Sequence, residues 1–454
     1  VKKTLLEGGR MSLEDRLLNV AVIGAAGKMG SGISALLAQE IAKLKLMPEN
    51  KDKVFRLNLI DVNENALNGL ESYLRTMLTK IAEKSIVGLR EIYKERKDLV
   101  ENGDIIQAFT NDALSVTRFG TSLEVVKEAK LVFEAIVEDK EIKIKVLRAI
   151  KELCSDDTLF FTNTSSIPIN ILDKEIGLGG RIIGYHFYNP PVVQKLVEVI
   201  TADGTREELK NIAAELGKKL RKKLVSSNDI AGFIGNGHFI RDGLFALKKA
   251  EEIKDTYTIP GAIYILNKVS QDFLLRPMGI FQLIDYVGID VFQCILTVMR
   301  EYLEDENLKS GLIEKFVKKG ILGGQRVDGS QKDGFLKYER NRPIGVYDID
   351  KGQYVSYEGW KENLDSQIGT TPEGFVPWRL LLTDPHKEDK ISGYFGNLKK
   401  GKNLGSRIAR AYMQTTKEIG EGLVKQGVAK SSDDVNAVLT NGFYWLYGPI
   451  NNYL

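Results

Sequence analysis

Short apolar runs alternate with amphipathic stretches through the first half of the chain. Asn19-Val20-Ala21-Val22-Ile23 is brief and rich in β-branched residues, the pattern of a buried parallel strand. Glycines interrupt it at Gly24, Gly27 and Gly30, and Ile33 to Ile41 then places apolar residues at helical spacing. Leu57 to Asp61 reads as the next strand. From Ala66 to Lys97 the pattern is a charged helix pair whose apolar stripe is Leu70, Leu74, Met77, Leu78 and Ile81. Further strands are predicted at Leu131–Glu138, Leu159–Thr162, Arg181–Tyr185 and Leu196–Ile200, with a helix over Ile142–Leu153. This alternation predicts a doubly wound α/β sheet. Asp203–Lys223 reads as a connecting helix, and its basic run Lys218–Lys223 as a solvated helix end.

From Phe233 onward the pattern is helical, with Phe239, Ile240, Leu244 and Leu247 in phase. The end of the chain echoes this region. Ala262–Val269 followed by Arg276-Pro277-Met278-Gly279 has a counterpart in Val435–Leu439 followed by Leu446-Tyr447-Gly448-Pro449-Ile450, and Ser406–Gln426 mirrors the helix before it. Five segments result: an N-terminal extension at 1–17, a sheet domain at 18–229, an all-helical domain at 230–340, an insertion at 341–402 and a partial helical repeat at 403–454. The repeat offers Ile408, Ala411, Tyr412 and Ile419 as a face to bury. Such a face predicts packing within one chain, as an internal pseudo-dimer, or a homodimer.

Composition narrows the function. A hydrophobic fraction of 43% with 28% charged residues is that of an ordinary globular chain, and no run approaches the length of a membrane span. A net charge of +3 argues against generic nucleic-acid binding. The two cysteines, Cys154 and Cys294, suit a reducing cytoplasm, and three histidines make a multi-histidine metal site an unpromising idea. No secretory leader is apparent, and Met11 is an alternative start.

Chemistry concentrates at predicted strand ends. Gly24-Ala25-Ala26-Gly27-Lys28-Met29-Gly30 lies between a strand and a helix, where glycines admit a pyrophosphate close to the backbone and the helix N-terminus offers N–H donors. Asp61, at the end of the second strand, can accept hydrogen bonds from ribose hydroxyls and would repel a 2′-phosphate, which favours NAD. Ser165, His186, Glu198 and Asn236 fall at or near later strand ends or in the segment that follows. Glu198 is set among apolar residues and needs a partner, and a histidine would be made a better base by pairing with it.

These segments resemble the NAD-dependent L-3-hydroxyacyl-CoA dehydrogenases. The resemblance rests on Val20–Gly32, Phe133–Glu138, Asn163-Thr164-Ser165-Ser166, His186–Ile200, Ala231–Asn236, Arg276–Gly288 and Asp333–Tyr338, and spans roughly residues 18–340. It implies a Rossmann-type sheet followed by a helical domain, a role in β-oxidation of fatty acids, NAD as cofactor and an acyl-CoA substrate. It also implies His186 as base, Glu198 as its partner, and Ser165 and Asn236 as binders of the substrate oxygens. Asp61, Glu138, Lys143, Asn163 and Asn189 match cofactor contacts, and Lys80 lies on the hairpin that covers coenzyme A. The chain departs from the family in three places. The glycine turn is one residue longer, Gly237-His238 stands where Arg usually follows Asn236, and Ser330 replaces a lysine, with Lys332 nearest. Two other readings compete: a dehydrogenase of free hydroxy acids, akin to gulonate or carnitine enzymes, and a non-catalytic NAD-binding relative.

Overall fold

The computed structural model describes residues 11–326 and 329–453. The chain divides into two compact units between Asp229 and Ile230.

The first unit is built on eight strands: β1 (Asn19–Ile23), β2 (Arg56–Ile60), β3 (Thr117–Gly120), β4 (Leu131–Glu134), β5 (Leu159–Thr162), β6 (Ile182–Phe187), β7 (Leu196–Thr201) and β8 (Lys223–Asn228). Their order is β3-β2-β1-β4-β5-β6-β7-β8. The first six run parallel, and β7 turns back antiparallel to β6 before pairing in parallel with β8. The order reverses between β1 and β4, the place where a doubly wound sheet opens a ligand crevice at its carboxyl edge. Phe133 stacks on Phe161 at 4.7 Å, and Tyr185 meets Phe161 edge-on at 5.3 Å, so aromatic rings from three adjacent strands fill one face. The helix Lys28–Lys45 buries Ile33, Leu37, Ile41 and Leu44 in the same core.

Four details differ from the sequence pattern. Strands β3 and β8, both at sheet edges, were not foreseen, because Thr-Arg-Phe-Gly and Lys-Leu-Val-Ser-Ser-Asn carry little apolar alternation. Strand β4 ends at Glu134, four residues early, because the Glu134 carboxylate folds back to accept the Ile136 N–H at 2.8 Å. Strand β6 runs on to Phe187, which brings His186 inside the strand. The charged stretch after Asp61 forms Glu64–Lys84 and Ile86–Ile92, and a further helix, Asn102–Ser115, packs against the first of them.

The second unit begins with the helix Gly235–Lys268, broken at Thr258 (φ 60°) just before Pro260. Ile280–Val287, Ile289–Leu303 and Gly311–Lys318 follow. The helical character predicted for 230–340 then gives way to a three-stranded antiparallel sheet, β9 (Leu336–Glu339), β10 (Arg342–Asp348) and β11 (Gln353–Ser356), with β10 central. Buried Asp285 joins two sequence motifs. Its carboxylate accepts the Phe335 and Leu336 N–H groups at 2.6 and 2.9 Å and the Tyr338 hydroxyl at 2.9 Å, and burial pushes its pKa up to about 8. The segment 341–402, read as an insertion, contributes to the core: Val346, Ile368, Tyr394, Phe395 and Leu398 share one cluster with Phe239 and Phe292.

The helix Leu404–Lys425 lies against Gly235–Lys268. Its buried face is Ile408, Ala409, Tyr412, Met413 and Thr416, whereas Ala411 is exposed and Ile419 half-buried, a rotation from the predicted stripe. The rotation follows from a polar centre. Arg276 donates to Asp242 at 2.9 Å and to Thr416 at 3.1 Å, Thr416 donates to Asp242 at 2.7 Å, and the guanidinium lies 3.8 Å over Trp445. Burial opposes the Arg276 charge, but Asp242 outweighs it and raises the pKa. Removing one partner of a buried ion pair costs about 3–5 kcal/mol, because the other charge is left uncompensated. Asp242→Ala is therefore expected to lower unfolding stability by about that much in urea denaturation. A change near zero would show that the pair does not hold this interface.

Candidate active site

The carboxyl ends of β1, β2, β4, β5 and β6 share one edge of the sheet, and nearly every predicted site residue of the first unit projects from it. At β1 the turn Gly24–Gly30 is held by Gly24 and Ala25 N–H groups donating to the Ile60 carbonyl at 2.9 and 3.0 Å. Gly24 has φ +77°, and a Cβ there would sit 2.7 Å from the Ala135 carbonyl oxygen. At Gly30 a Cβ would lie 2.0 Å from the Gly24 carbonyl oxygen, so the helix can approach the turn only through glycine. Ala25 is buried, while Ala26 and Met29 pack partly against the core.

Gly27 precedes the helix Lys28–Lys45 without a side-chain cap, and no acidic residue stands in the first turn. Lys28 occupies that turn with its side chain exposed. A cation there opposes the helix dipole, and an anion at the turn would relieve it. Asp61 accepts the Ala26 N–H at 3.1 Å through one oxygen and the Asn63 N–H at 3.0 Å through the other. Each carboxylate oxygen keeps capacity for a further hydrogen bond. A glycine cradle, an uncapped helix start and a strand-end carboxylate together fit a dinucleotide.

At β4 the structure assigns roles that sequence reasoning did not. The Lys143 ammonium is buried between two carboxylates, 2.7 Å from Glu134 and 3.3 Å from Glu138. Glu134 also accepts the Thr162 hydroxyl at 2.6 Å. Through one oxygen, Glu138 accepts the N–H groups of Ser165 and Ser166 at 2.7 and 2.9 Å and the hydroxyls of Thr164, Ser165 and Ser166 at 2.7, 3.2 and 2.9 Å. Burial would push the Glu138 carboxyl up, but Lys143 and these donors outweigh it and hold it below the usual range. Lys143 shows the converse balance: burial pulls its pKa down, and the two carboxylates raise it further. Lys143 and Glu138, both expected among the cofactor contacts, are paired with each other. The Lys143 ammonium is enclosed and organises the turn after β5. Asn163 is likewise engaged, its side-chain oxygen accepting the Phe187 N–H at 2.8 Å beside His186.

His186 on β6 and Glu198 on β7 are direct cross-strand partners. The Nδ1 of His186 lies 3.3 Å from Glu198 Oε2, and Glu198 has no exposed surface. Tyr188 donates its hydroxyl to the same oxygen at 2.9 Å. Burial first, and the Glu198 charge second, hold that phenol protonated well above its usual range. Tyr188 was missed in the sequence, although it stands two residues after His186, the spacing that places side chains on one face of an extended chain.

Lys80 is exposed on the helix Glu64–Lys84, and Asn189 is half-buried just after β6. Asn236 belongs to the second unit, in the first turn of Gly235–Lys268. His238, which follows Asn236 and Gly237, is fully buried, its Nε2 3.2 Å from the Thr416 carbonyl and its ring against Trp445, and burial lowers its pKa to about 4. Lys332 is exposed in the second unit.

Residues 19–230 match the NAD binding domain of 3-hydroxyacyl-CoA dehydrogenase, and residues 266–338 match the C-terminal domain of the same enzyme. The chain belongs to the 3-hydroxyacyl-CoA dehydrogenase family. It is 30% identical over 323 residues to a protein of Deinococcus radiodurans named as a 3-hydroxybutyryl-CoA dehydrogenase, covering 71% of this chain and 100% of that one. A protein of Rickettsia prowazekii, named as a fatty acid oxidation complex trifunctional enzyme, is 28% identical over 446 residues, 96% of this chain and 53% of that protein. The fold of the Escherichia coli 3-hydroxybutyryl-CoA dehydrogenase crystal structure matches with a TM-score of 0.63 at 21% identity, over 96% of this chain and 90% of that one. Family membership makes the first unit an NAD-binding domain, in agreement with the glycine cradle.

Gly30→Ala tests that cradle. The added methyl must displace the Gly24 carbonyl, and NADH affinity is expected to fall by at least about tenfold, or 1.4 kcal/mol, in a fluorescence titration. Unchanged affinity would mean that the dinucleotide binds elsewhere.

Proposed function

We propose that this dehydrogenase interconverts 3-hydroxyacyl-CoA and 3-ketoacyl-CoA with His186 and Glu198 as the proton-transfer pair. The observation that carries the reading is the buried His186–Glu198 couple on adjacent strands, at the sheet edge that bears the glycine cradle. When bound, NAD supplies the hydride acceptor.

Glu198 engages Nδ1 of His186, so Nε2 is the nitrogen that takes the hydroxyl proton as the carbonyl forms. The carboxylate favours the imidazolium that results, and the Tyr188 hydroxyl holds that carboxylate in place. Ser165, fixed by Glu138, is suited to hold the 3-oxygen of the substrate, and Asn236 the thioester oxygen. Lys80, exposed on the helix Glu64–Lys84, is suited to the phosphates of coenzyme A. Asp61 selects NAD through the adenosine ribose. The helix Leu404–Lys425, seated on Gly235–Lys268, fits a partial duplication that supplies within one chain what a second subunit would supply to a shorter relative. No single described helix is long and apolar enough to cross a membrane.

The direct test follows NADH oxidation with acetoacetyl-CoA and then with free acetoacetate; turnover of the free acid alone would overturn the thioester reading. General base catalysis contributes about 10²–10⁴-fold. His186→Gln is expected to lower kcat by about that factor while leaving NADH affinity nearly unchanged. Turnover close to that of the unaltered protein would remove His186 from the mechanism.

The coenzyme choice has its own measurement. A carboxylate at the ribose repels a 2′-phosphate, so kcat/KM is expected to favour NADH over NADPH, and Asp61→Ala to narrow the ratio. A preference for NADPH would refute the role given to Asp61.

A further inference from the structure

The connection between β6 and β7 carries Tyr188, Asn189, Pro190 and Pro191 and returns the chain to Glu198. Two adjacent prolines leave this loop short of backbone donors. Within the loop the Val193 and Gln194 N–H groups both donate to the Pro190 carbonyl, at 3.0 and 2.9 Å, and the Gln194 side-chain amide donates to the Asn189 carbonyl at 3.4 Å. A tie comes from outside the loop. Lys222, one residue before β8, places its ammonium 2.6 Å from the Pro191 carbonyl and 2.6 Å from the Gln194 carbonyl. Both are short hydrogen bonds from a charged donor, and they bridge the two sides of the turn. Among the described residues no carboxylate forms an ion pair with Lys222, so carbonyl dipoles carry its charge. Desolvation accordingly lowers its pKa to about 8. The basic run 218–223, read from sequence as a solvated helix end, thus contains one lysine turned inward.

The same loop touches the cofactor side. A Cβ at Gly32 would lie 2.7 Å from Cδ of Pro191, so Pro191 rests directly on the helix that follows the glycine turn. The loop is therefore bracketed by the His186–Tyr188 strand end and by the helix Lys28–Lys45. We infer that Lys222 is a positioning residue: a cationic latch that holds the 188–195 loop in register with both His186 and the dinucleotide cradle. It acts through the loop carbonyls. This inference rests on the assignment of His186 and the glycine turn given above.

The test compares Lys222→Met, which keeps the aliphatic stem and removes the donors, with Lys222→Arg, which can donate to both carbonyls. Hydrogen exchange of the 188–195 amides reads the latch without reference to catalysis, and NADH affinity and kcat read its consequence. Lys222→Met is expected to speed exchange of this segment by about tenfold, weaken NADH, and lower kcat by up to about 10²-fold, the cost of a misplacement of about 1 Å. KM for acetoacetyl-CoA and the melting temperature should change little, and Lys222→Arg should recover part of both effects. Unaltered loop exchange in Lys222→Met overturns the latch. Faster exchange with unaltered kcat and NADH affinity, or a loss of kcat that only follows the folded fraction, overturns the positioning role. If the unaltered protein fails to reduce acetoacetyl-CoA, the functional reading falls; loop exchange and NADH affinity still decide the latch. Should Lys222→Met not fold, Lys222→Gln takes its place under the same criteria.

Discussion

A single buried ammonium sets the geometry of the sheet edge. Lys143 cannot remain charged and enclosed without partners, and Glu134 and Glu138 supply them. Glu134 ends β4 by turning its carboxylate back on the chain, and that end places the Ala135 carbonyl against Gly24. Glu138, held charged by Lys143, gathers the donors of Thr164, Ser165 and Ser166. One charge thus fixes the close approach at the dinucleotide turn and the shape of the serine turn beside it. A neutral residue at 143 would leave two carboxylates facing each other without compensation, which is why the three groups act as a unit.

The proposed proton-transfer pair, His186 and Glu198, depends on a different constraint, strand register. Side chains alternate between faces, so a slip of one residue between β6 and β7 would send Glu198 to the opposite face from His186. The antiparallel return of β7 makes the pair direct neighbours, and Tyr188 closes the carboxylate from the side. The loop that makes this return possible is also held from outside, by the Lys222 ammonium on two of its carbonyls and by Pro191 resting against the glycine at position 32.

The second unit solves the problem of a broad helical face in another way. Its centre is polar: Arg276, Asp242 and Thr416 are hydrogen-bonded to one another beneath Tyr412 and Trp445. A network of that kind tolerates few alternative rotations of the Leu404–Lys425 helix, because each slip strands a buried charge. This explains why the buried stripe departs from the one that hydrophobic spacing suggests, and why His238 is drawn inside.

Much was legible from the order of residues. The parallel strands near the centre of the sheet, β1, β4 and β5, are runs that only a two-sided burial explains. The glycine turn and Asp61 could be named because they sit where the local pattern changes, and Glu198 because an acid inside an apolar strand needs a partner, which His186 can be. The edge strands β3 and β8 were not legible, since an edge needs only one neighbour and shows no apolar signature. Nor could the sequence tell that Lys143 faces inward and Lys80 outward, because lysines on amphipathic helices look alike until something packs against them. Which carboxylate holds which turn, which lysine of a basic run latches a loop, and which face of the last long helix is buried were decided by long-range pairing. Those choices depend on desolvated charges finding partners far away in sequence, and no local pattern encodes that distance.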